Sequence, residues 1–380
     1  MYKVGIITTF RQPNWGSVLQ AYALQKVIDD MGHEAWLIDY QYPNEFHYSQ
    51  GVCERNRSWL RNLPGEIRSR LKIRLGQMPE RKMVLLERFI KNNMRLTQRY
   101  MSYEDLHQSP PVFDVYIAGS DQIWNPQTMV GDMSYLLDFA PDKALKFSYA
   151  SSFSRVYIPK RYENDYRNNL NRLNDISVRE DNGAKAVREL TGMEATVVLD
   201  PTLLLDKDHW RRFADKARTV QLPDKFILCY MLGYTYNPDE TMSSVLCQLQ
   251  RQYGIPVVAL NALPSSFNGD IFRLPKNYGV GIEEFLFLMN RATIIATSSF
   301  HGTAFAINLG KPFIAVADGK ADDDGRISSF LDKMRLQRQI VKSTDVISEL
   351  CPHYNEKESK EQLKNLRDKS FLFLAEAFKS

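Results

Sequence analysis

The stretch Arg291–Ala317, reading RATIIATSSFHGTAFAINLGKPFIAVA, constrains the fold of this chain more than any other. Ala292–Ala296 is an apolar, β-branched run, the pattern of a strand covered on both faces. Ser298-Ser299-Phe300-His301-Gly302-Thr303 is small, polar and flexible, and reads as a turn. Ala304–Leu309 follows as a short helix, stopped by Gly310 and Pro312 before a second apolar strand, Phe313–Ala317. A strand–turn–helix–strand unit suits a parallel sheet and puts its turn at the carboxyl end, where open α/β folds bind ligands. A helix start there offers N–H groups to an anion, and an imidazole at that spot can exchange protons near neutral pH. Helix capping alone also accounts for Ser and Thr at such a position. On spacing alone, His301 stays open between a functional and a structural reading.

The same unit recurs along the chain. Lys3–Thr8 reads as a buried strand. Ser17 with Gln20 fits a capping box for the helix that follows, and Gly32 fits its stop. Ala35–Asp39 is the next strand, so the chain opens as βαβ. There is no GxGxxG, which argues against a dinucleotide fingerprint. The loop Asn14-Trp15-Gly16-Ser17 falls at the carboxyl edge of that sheet, either as a capped turn or as a substrate contact through Asn14 and Ser17. Phe113–Ala118 is a strand running into Gly119-Ser120-Asp121-Gln122-Ile123-Trp124-Asn125-Pro126. An acid, two amides and an indole at one strand end suit a sugar: Asp121 and Gln122 for hydroxyls, Trp124 for an apolar ring face. Turn chemistry with a half-buried Trp is the alternative. Strands at Lys146–Ala150, Asp175–Val178 and Thr196–Leu199 complete a first doubly wound domain, 1–204.

A connecting helix at Asp206–Lys216 leads to a second α/β series over 220–345. It comprises strands at Phe226–Leu232 and Val257–Leu260, helices near Thr241–Tyr253 and Glu283–Asn290, and the opening stretch. An amphipathic helix over 355–380 is expected to pack back across the domains. Two Rossmann-like domains without a dinucleotide fingerprint suggest an α/β, GT-B-like architecture whose domains face a central cleft. That points to a transferase, with a sugar-nucleotide glycosyltransferase as one candidate.

Composition narrows the partners. The 380 residues are 44% hydrophobic and 25% charged, with net charge +4, so the whole chain does not advertise nucleic-acid binding. Four scattered cysteines form no CxxC or Cys/His metal spacing, and the three aspartates in the loop 319–326 lack the alternation of a calcium site, so no metal is expected. Free thiols, a first strand at the N-terminus and no apolar run of membrane-spanning length suggest a cytoplasmic protein. Arg55–Arg99, inside an insertion at about 50–100, carries thirteen Lys/Arg against three Glu, interleaved with apolar residues. Read as helical pieces broken at Pro64 and Pro79, it is either a solvated insertion or a basic surface for anionic lipid. The latter would put the protein at the inner membrane face.

Six segments in order resemble the polysaccharide pyruvyl transferase family, especially its bacterial capsule and exopolysaccharide branch. They are Asn14–Leu24, Gly119–Asn125, Ser177-Val178-Arg179-Glu180, Leu199-Asp200-Pro201-Thr202, Ser299–Phe305 and Gly310-Lys311-Pro312-Phe313. The resemblance implies transfer of pyruvate from phosphoenolpyruvate onto a hexose, expected to be galactose-type, as a ketal. The acceptor is a surface polysaccharide or its lipid-linked precursor, and phosphoenolpyruvate is a co-substrate with no further cofactor. Arg179 matches a family arginine implicated in donor binding. His301 matches the family histidine and is the candidate general acid/base, with Asp121 orienting an acceptor hydroxyl. Other branches read Arg-Leu-His where this chain has Ser299-Phe300-His301. The donor set is therefore expected to include Ser299, Gly302 and Thr303, with Arg326 or Lys311 replacing the absent guanidinium. Asn14, Ser17, Gln122 and Trp124 are the acceptor candidates.

Overall fold

The structure is a computed structural model that describes residues 1–40, 78–129, 131–154, 158–233, 236–319, 325–345, 347 and 349–380. It divides into two compact units, Met1–Leu204 with Leu366–Ser380, and Leu205–Asn365. Residues 55–77 of the basic stretch and 320–324 of the acidic loop lie outside the described residues.

In the first unit the strands are β1 (Lys3–Ile7), β2 (Glu34–Tyr40), β3 (Leu96–Tyr100), β4 (Val115–Ala118) and β5 (Leu145–Ser148). They form one sheet in the order β3-β2-β1-β4-β5, and every pair is parallel. A short pair, β6 (Ser177–Val178) with β7 (Thr196–Val197), continues from its edge through bridges such as Ser151 to Val178. The central strands are apolar throughout because helices cover both faces. Helix α1 (Trp15–Asp30) covers one of them, with Val18, Leu19, Ala21, Leu24 and Ile28 fully buried.

The second unit has β8 (Ile227–Tyr230), β9 (Val257–Ala259), β10 (Ile271–Phe272), β11 (Ile294–Thr297), β12 (Phe313–Ala317) and β13 (Ile340–Lys342). Their order is β10-β9-β8-β11-β12-β13, again all parallel. Counted within each unit the order is third, second, first, fourth, fifth, with a sixth strand added beyond the fifth in the second unit. That is the doubly wound order, with a crossover between the first and fourth strands. Each unit therefore has the parallel α/β architecture expected of it.

Several local expectations are corrected. The turn Ser298–Thr303 is shorter than read: the helix begins at Phe300, because the Ser299 hydroxyl accepts the Gly302 N–H at 3.3 Å and caps it. Ser17 is not a cap either. Asn14 caps α1 by accepting from the Gly16 N–H at 2.9 Å, and Ser17 stands inside the first turn. The basic stretch ends in strand β3 rather than helix. Before it, α2 (Met78–Asn93) buries its apolar stripe, Leu85, Leu86, Phe89 and Ile90, so that part offers no greasy face to lipid. Among the described residues no helix is long and apolar enough to cross a membrane.

The last helix, Glu356–Ala377, contributes to both units. Near its start the Gln362 amide donates to the Lys333 carbonyl at 2.7 Å, within the second unit. Its far end completes the first. There the Ser370 hydroxyl accepts the Leu199 N–H at 3.0 Å, and Phe373 meets the Phe147 ring edge-on at 6.5 Å.

Candidate active site

In the first unit, the crossover between β1 and β4 gathers the chemistry. Beyond β4 the chain turns sharply at Asp121, whose φ of +74° is a left-handed conformation unusual outside glycine. Asp and Asn tolerate it because a short polar side chain can bond its own backbone surroundings. Here the Gln122 N–H donates to Asp121 Oδ1 at 2.9 Å, and the Ser17 hydroxyl donates to Asp121 Oδ2 at 2.7 Å. Ser17 and Asp121 are thus brought together across the crossover, from the start of α1 and the end of β4. The carboxylate is 12% exposed, enough to be reached from solvent.

Arg179 lies beside it, but not as an open cation. Its Nη1 donates to Asp200 Oδ2 at 2.9 Å, Asp121 Oδ1 is 3.6 Å from Nη2, and Glu180 Oε2 is 4.0 Å from Nε. The Arg179 side chain is 2% exposed, against 0% for Asp200. One guanidinium thus has three carboxylates within 4.0 Å, with Asp200 bound to it directly. Arg179 is held by Asp200 beside Asp121, at the same strand edge.

The partners extend inward. Asp200 also accepts from the hydroxyls of Ser120 at 3.0 Å and Thr202 at 2.7 Å. Glu180 Oε1 accepts from the Ser152 hydroxyl and the Phe153 N–H, both at 2.9 Å. The Gln20 amide donates to the Thr8 hydroxyl at 3.0 Å, and that hydroxyl donates to the Ser120 carbonyl at 2.7 Å. Buried charges persist when paired and hydrogen-bonded in this way. Asp200, Glu180 and Gln20 were missed as site residues. Their signal was placement, since Arg179-Glu180 follows β6 and Asp200-Pro201 follows β7.

Two acceptor candidates fare differently. Gln122 is partly exposed, and its side-chain oxygen accepts from Asn125 at 3.0 Å. Trp124 is corrected to a core residue: it is 0% exposed, its indole N–H donates to the Tyr135 carbonyl at 2.9 Å, and no ring face remains for a sugar.

In the second unit the crossover lies between β8 and β11. His301 follows β11 in the first turn of the helix Phe300–Asn308 and is 6% exposed. The edge around it is held by hydroxyls. Ser298 donates to the Leu232 carbonyl and accepts the Leu232 N–H, both at 2.8 Å. Thr297 donates to the Tyr230 carbonyl at 2.8 Å, and the Thr303 hydroxyl donates to the Ser299 carbonyl at 3.1 Å. The side-chain hydroxyls of Ser299 and Thr303 are therefore engaged within the helix start, and Thr303 is 0% exposed. Beneath, Trp210 and Phe285 meet Phe305 edge-on at 5.2 and 5.6 Å and fix the helix that carries His301.

Gly302 permits this close approach. A Cβ there would overlap Thr297 Oγ1 and come within 2.9 Å of Tyr230 Cδ1. Gly302→Ala is expected to cost about 1–3 kcal/mol by overpacking, more than the ~1 kcal/mol of helix propensity it returns. A lower urea midpoint checks this; an unchanged or higher midpoint would mean the helix start can shift freely.

The two cations expected to replace the missing arginine part company. Arg326 opens the helix Arg326–Met334, which follows β12 and so begins on the same sheet edge as His301. Lys311 precedes β12, beyond the far end of the His301 helix, and is thereby placed at the opposite edge of a parallel sheet. Burial, with Arg211 and Arg291 nearby, lowers its pKa. Lys311 is corrected out of the donor set.

The chain is similar to a Listeria monocytogenes structure titled as a putative UDP-N-acetylglucosamine 2-epimerase, at 11% identity and TM-score 0.48, covering 97% of this chain and 89% of that one. A UDP-N-acetylglucosamine 2-epimerase from Rickettsia bellii gives 11% identity and TM-score 0.47, with 99% and 96% covered. Arabidopsis thaliana UGT89C1, complexed with UDP-L-rhamnose, gives 11% and 0.47, with 97% and 94% covered. A search of curated proteins finds no match. The family model described as polysaccharide pyruvyl transferase matches residues 14–319, a span that holds Ser17, Asp121, Arg179 and His301. The chain therefore belongs to the polysaccharide pyruvyl transferase family.

Proposed function

We propose that this protein transfers pyruvate from phosphoenolpyruvate to two hydroxyls of a hexose, galactose-type, in a surface polysaccharide or its lipid-linked precursor. The observation that carries this reading is the placement of the family-resembling segments. Asn14–Leu24 and Gly119–Asn125 meet at the crossover of one unit, and Ser299–Phe305 stands at the crossover of the other. Crossovers of this kind are where open α/β sheets bind ligands.

The reaction balances without a redox partner. One acceptor hydroxyl proton ends on the enol methylene, which becomes a methyl group. Two new C–O bonds form at the neighbouring carbon as its bond to the phosphate oxygen breaks, and the second hydroxyl proton leaves with phosphate. His301 is the proton-transfer group, and Asp121, fixed by Ser17 and Arg179, orients an acceptor hydroxyl. Arg326 supplies positive charge on the His301 edge. Contact of residues 55–77 with an anionic membrane surface belongs to the same proposal. Loss of flotation with phosphatidylglycerol vesicles on deleting that segment would support it, and flotation indifferent to the deletion would remove it.

Thermal unfolding with phosphoenolpyruvate, UDP-galactose or UDP tests the donor. A ligand at 100 times its Kd stabilises by about 2.7 kcal/mol, a visible rise in Tm. A rise with phosphoenolpyruvate is expected. A rise with the nucleotides alone would replace the reading by sugar-nucleotide glycosyl transfer.

A further inference from the structure

A cavity of about 400 Å³ opens in the second unit, between the end of the helix Arg326–Met334 and the start of the helix Glu356–Ala377. Its place follows from the strands beside it. Gln339, in its wall, directly precedes β13. The Pro352 carbonyl, between the lining residues Cys351 and His353, accepts the N–H of Phe313 at the start of β12, at 3.0 Å. The strands are parallel and His301 follows β11, so the cavity and His301 stand at opposite edges of one sheet. The volume falls within the range of small-ligand clefts, about 300–1,000 Å³.

The lining suits an anion with an apolar body. Arg335 and Arg338 bring two guanidinium groups, and Glu358 is the one carboxylate in the wall. Glu358 lies 3.8 Å from Arg335 in an exposed pair, which binds weakly. Arg338 makes no ion pair or hydrogen bond among the described residues, so one positive charge is left over. The chain leaves its helix at Arg335 in a left-handed turn, φ +58°, which sets both arginines on the same cavity. Met334 and Leu336 add apolar surface, 1% and 6% exposed. The Gln339 amide donates to the Cys351 and His353 carbonyls at 3.2 and 3.3 Å and holds the opposite wall in place. In that wall Tyr354 meets the Phe313 ring edge-on at 5.6 Å, and its hydroxyl is buried with no hydrogen-bond partner among the described residues. A buried hydroxyl in that state is costly until something bonds it. Burial and the Glu356 charge raise its pKa, so it keeps its proton and can donate.

We propose that this cavity binds a small organic phosphate, with the phosphate group on Arg335 and Arg338 and the apolar part against Met334 and Leu336. A guanidinium offers phosphate two parallel N–H donors, which a point charge cannot. The site is independent of the pyruvyl-transfer reading, because none of its lining residues belongs to the donor or acceptor set.

Cys351 reports its occupancy, since the exposed thiol lines the cavity, whereas Cys247 lies outside the lining and serves as a control. The full chain is alkylated with N-ethylmaleimide, and the rate at each cysteine is followed by peptide mass spectrometry. Phenyl phosphate, titrated through the millimolar range, is the probe. At about four times its Kd one cavity in about five stays open, so Cys351 is expected to react about fivefold more slowly, with Cys247 unchanged. Inorganic phosphate lacks the apolar body and benzyl alcohol lacks the charge, so the first should protect less and the second not at all. Arg338→Met, at an exposed position outside any ion pair, should need about tenfold more phenyl phosphate for the same protection. No protection of Cys351, equal slowing at Cys247, or equal protection in Arg338→Met would overturn the proposal. Inorganic phosphate or benzyl alcohol protecting as well as phenyl phosphate would overturn the assigned ligand class.

Discussion

His301→Ala is expected to keep the fold and lose turnover by about 10²–10⁴-fold, the usual contribution of a positioned acid/base group. The fold should survive because the helix start does not depend on the imidazole. Ser299 caps it, Gly302 fits against Thr297, and Trp210 and Phe285 hold it from below through Phe305. Phosphate release from phosphoenolpyruvate, measured with a galactosyl acceptor, reads the effect, and circular dichroism checks the fold. Turnover within a factor of two of wild type would remove His301 from the mechanism. If kcat falls while KM holds, the group acts in the transition state; a rise in KM alone would make it a binding residue.

Arg179→Met is expected to lose about 3–5 kcal/mol of stability, because it strands buried carboxylates without their cation. That is a large part of the 5–15 kcal/mol typical of a folded domain. The carboxylates cannot all relax into water: Asp200 is 0% exposed and Glu180 2%. Asp200→Asn in the same background removes one stranded charge and should recover part of the loss, as coupled neighbours do. Urea midpoints of the two single variants and the double variant measure this. A stable Arg179→Met protein that no longer binds phosphoenolpyruvate would instead make Arg179 a donor contact whose carboxylate pairing is dispensable for stability.

Much of the framework was legible because parallel strands covered on both faces leave continuous apolar runs, as in Lys3–Ile7 and Ile294–Thr297. The short strands β10 and β13 carry too few residues for such a run. Strand β3 was hidden because Leu96-Thr97-Gln98-Arg99-Tyr100 is an edge strand with polar, partly exposed residues, lying inside a charge-rich stretch. The site was legible in position more than in role. Asp121 and His301 stand at crossovers, as motif placement suggested. Arg179 and Trp124 looked like ligand contacts because their chemistry suits phosphate and sugar. What each side chain meets inside the fold is set by residues 21 and 11 positions away, Asp200 and Tyr135, which spacing does not reveal.

The division of the chain also sets an order of events during synthesis. The first unit takes its closing segment, Leu366–Ser380, from the other end of the polypeptide. Ser370 and Phe373 can complete its core only after they have left the ribosome, whereas Leu205–Asn365 is contiguous and emerges earlier. The nascent N-terminal unit must therefore wait with part of its apolar surface open. A stop codon shortly after residue 365 would spare the second unit while leaving the first, together with Asp121 and its guanidinium, as a substrate for chaperones and proteases.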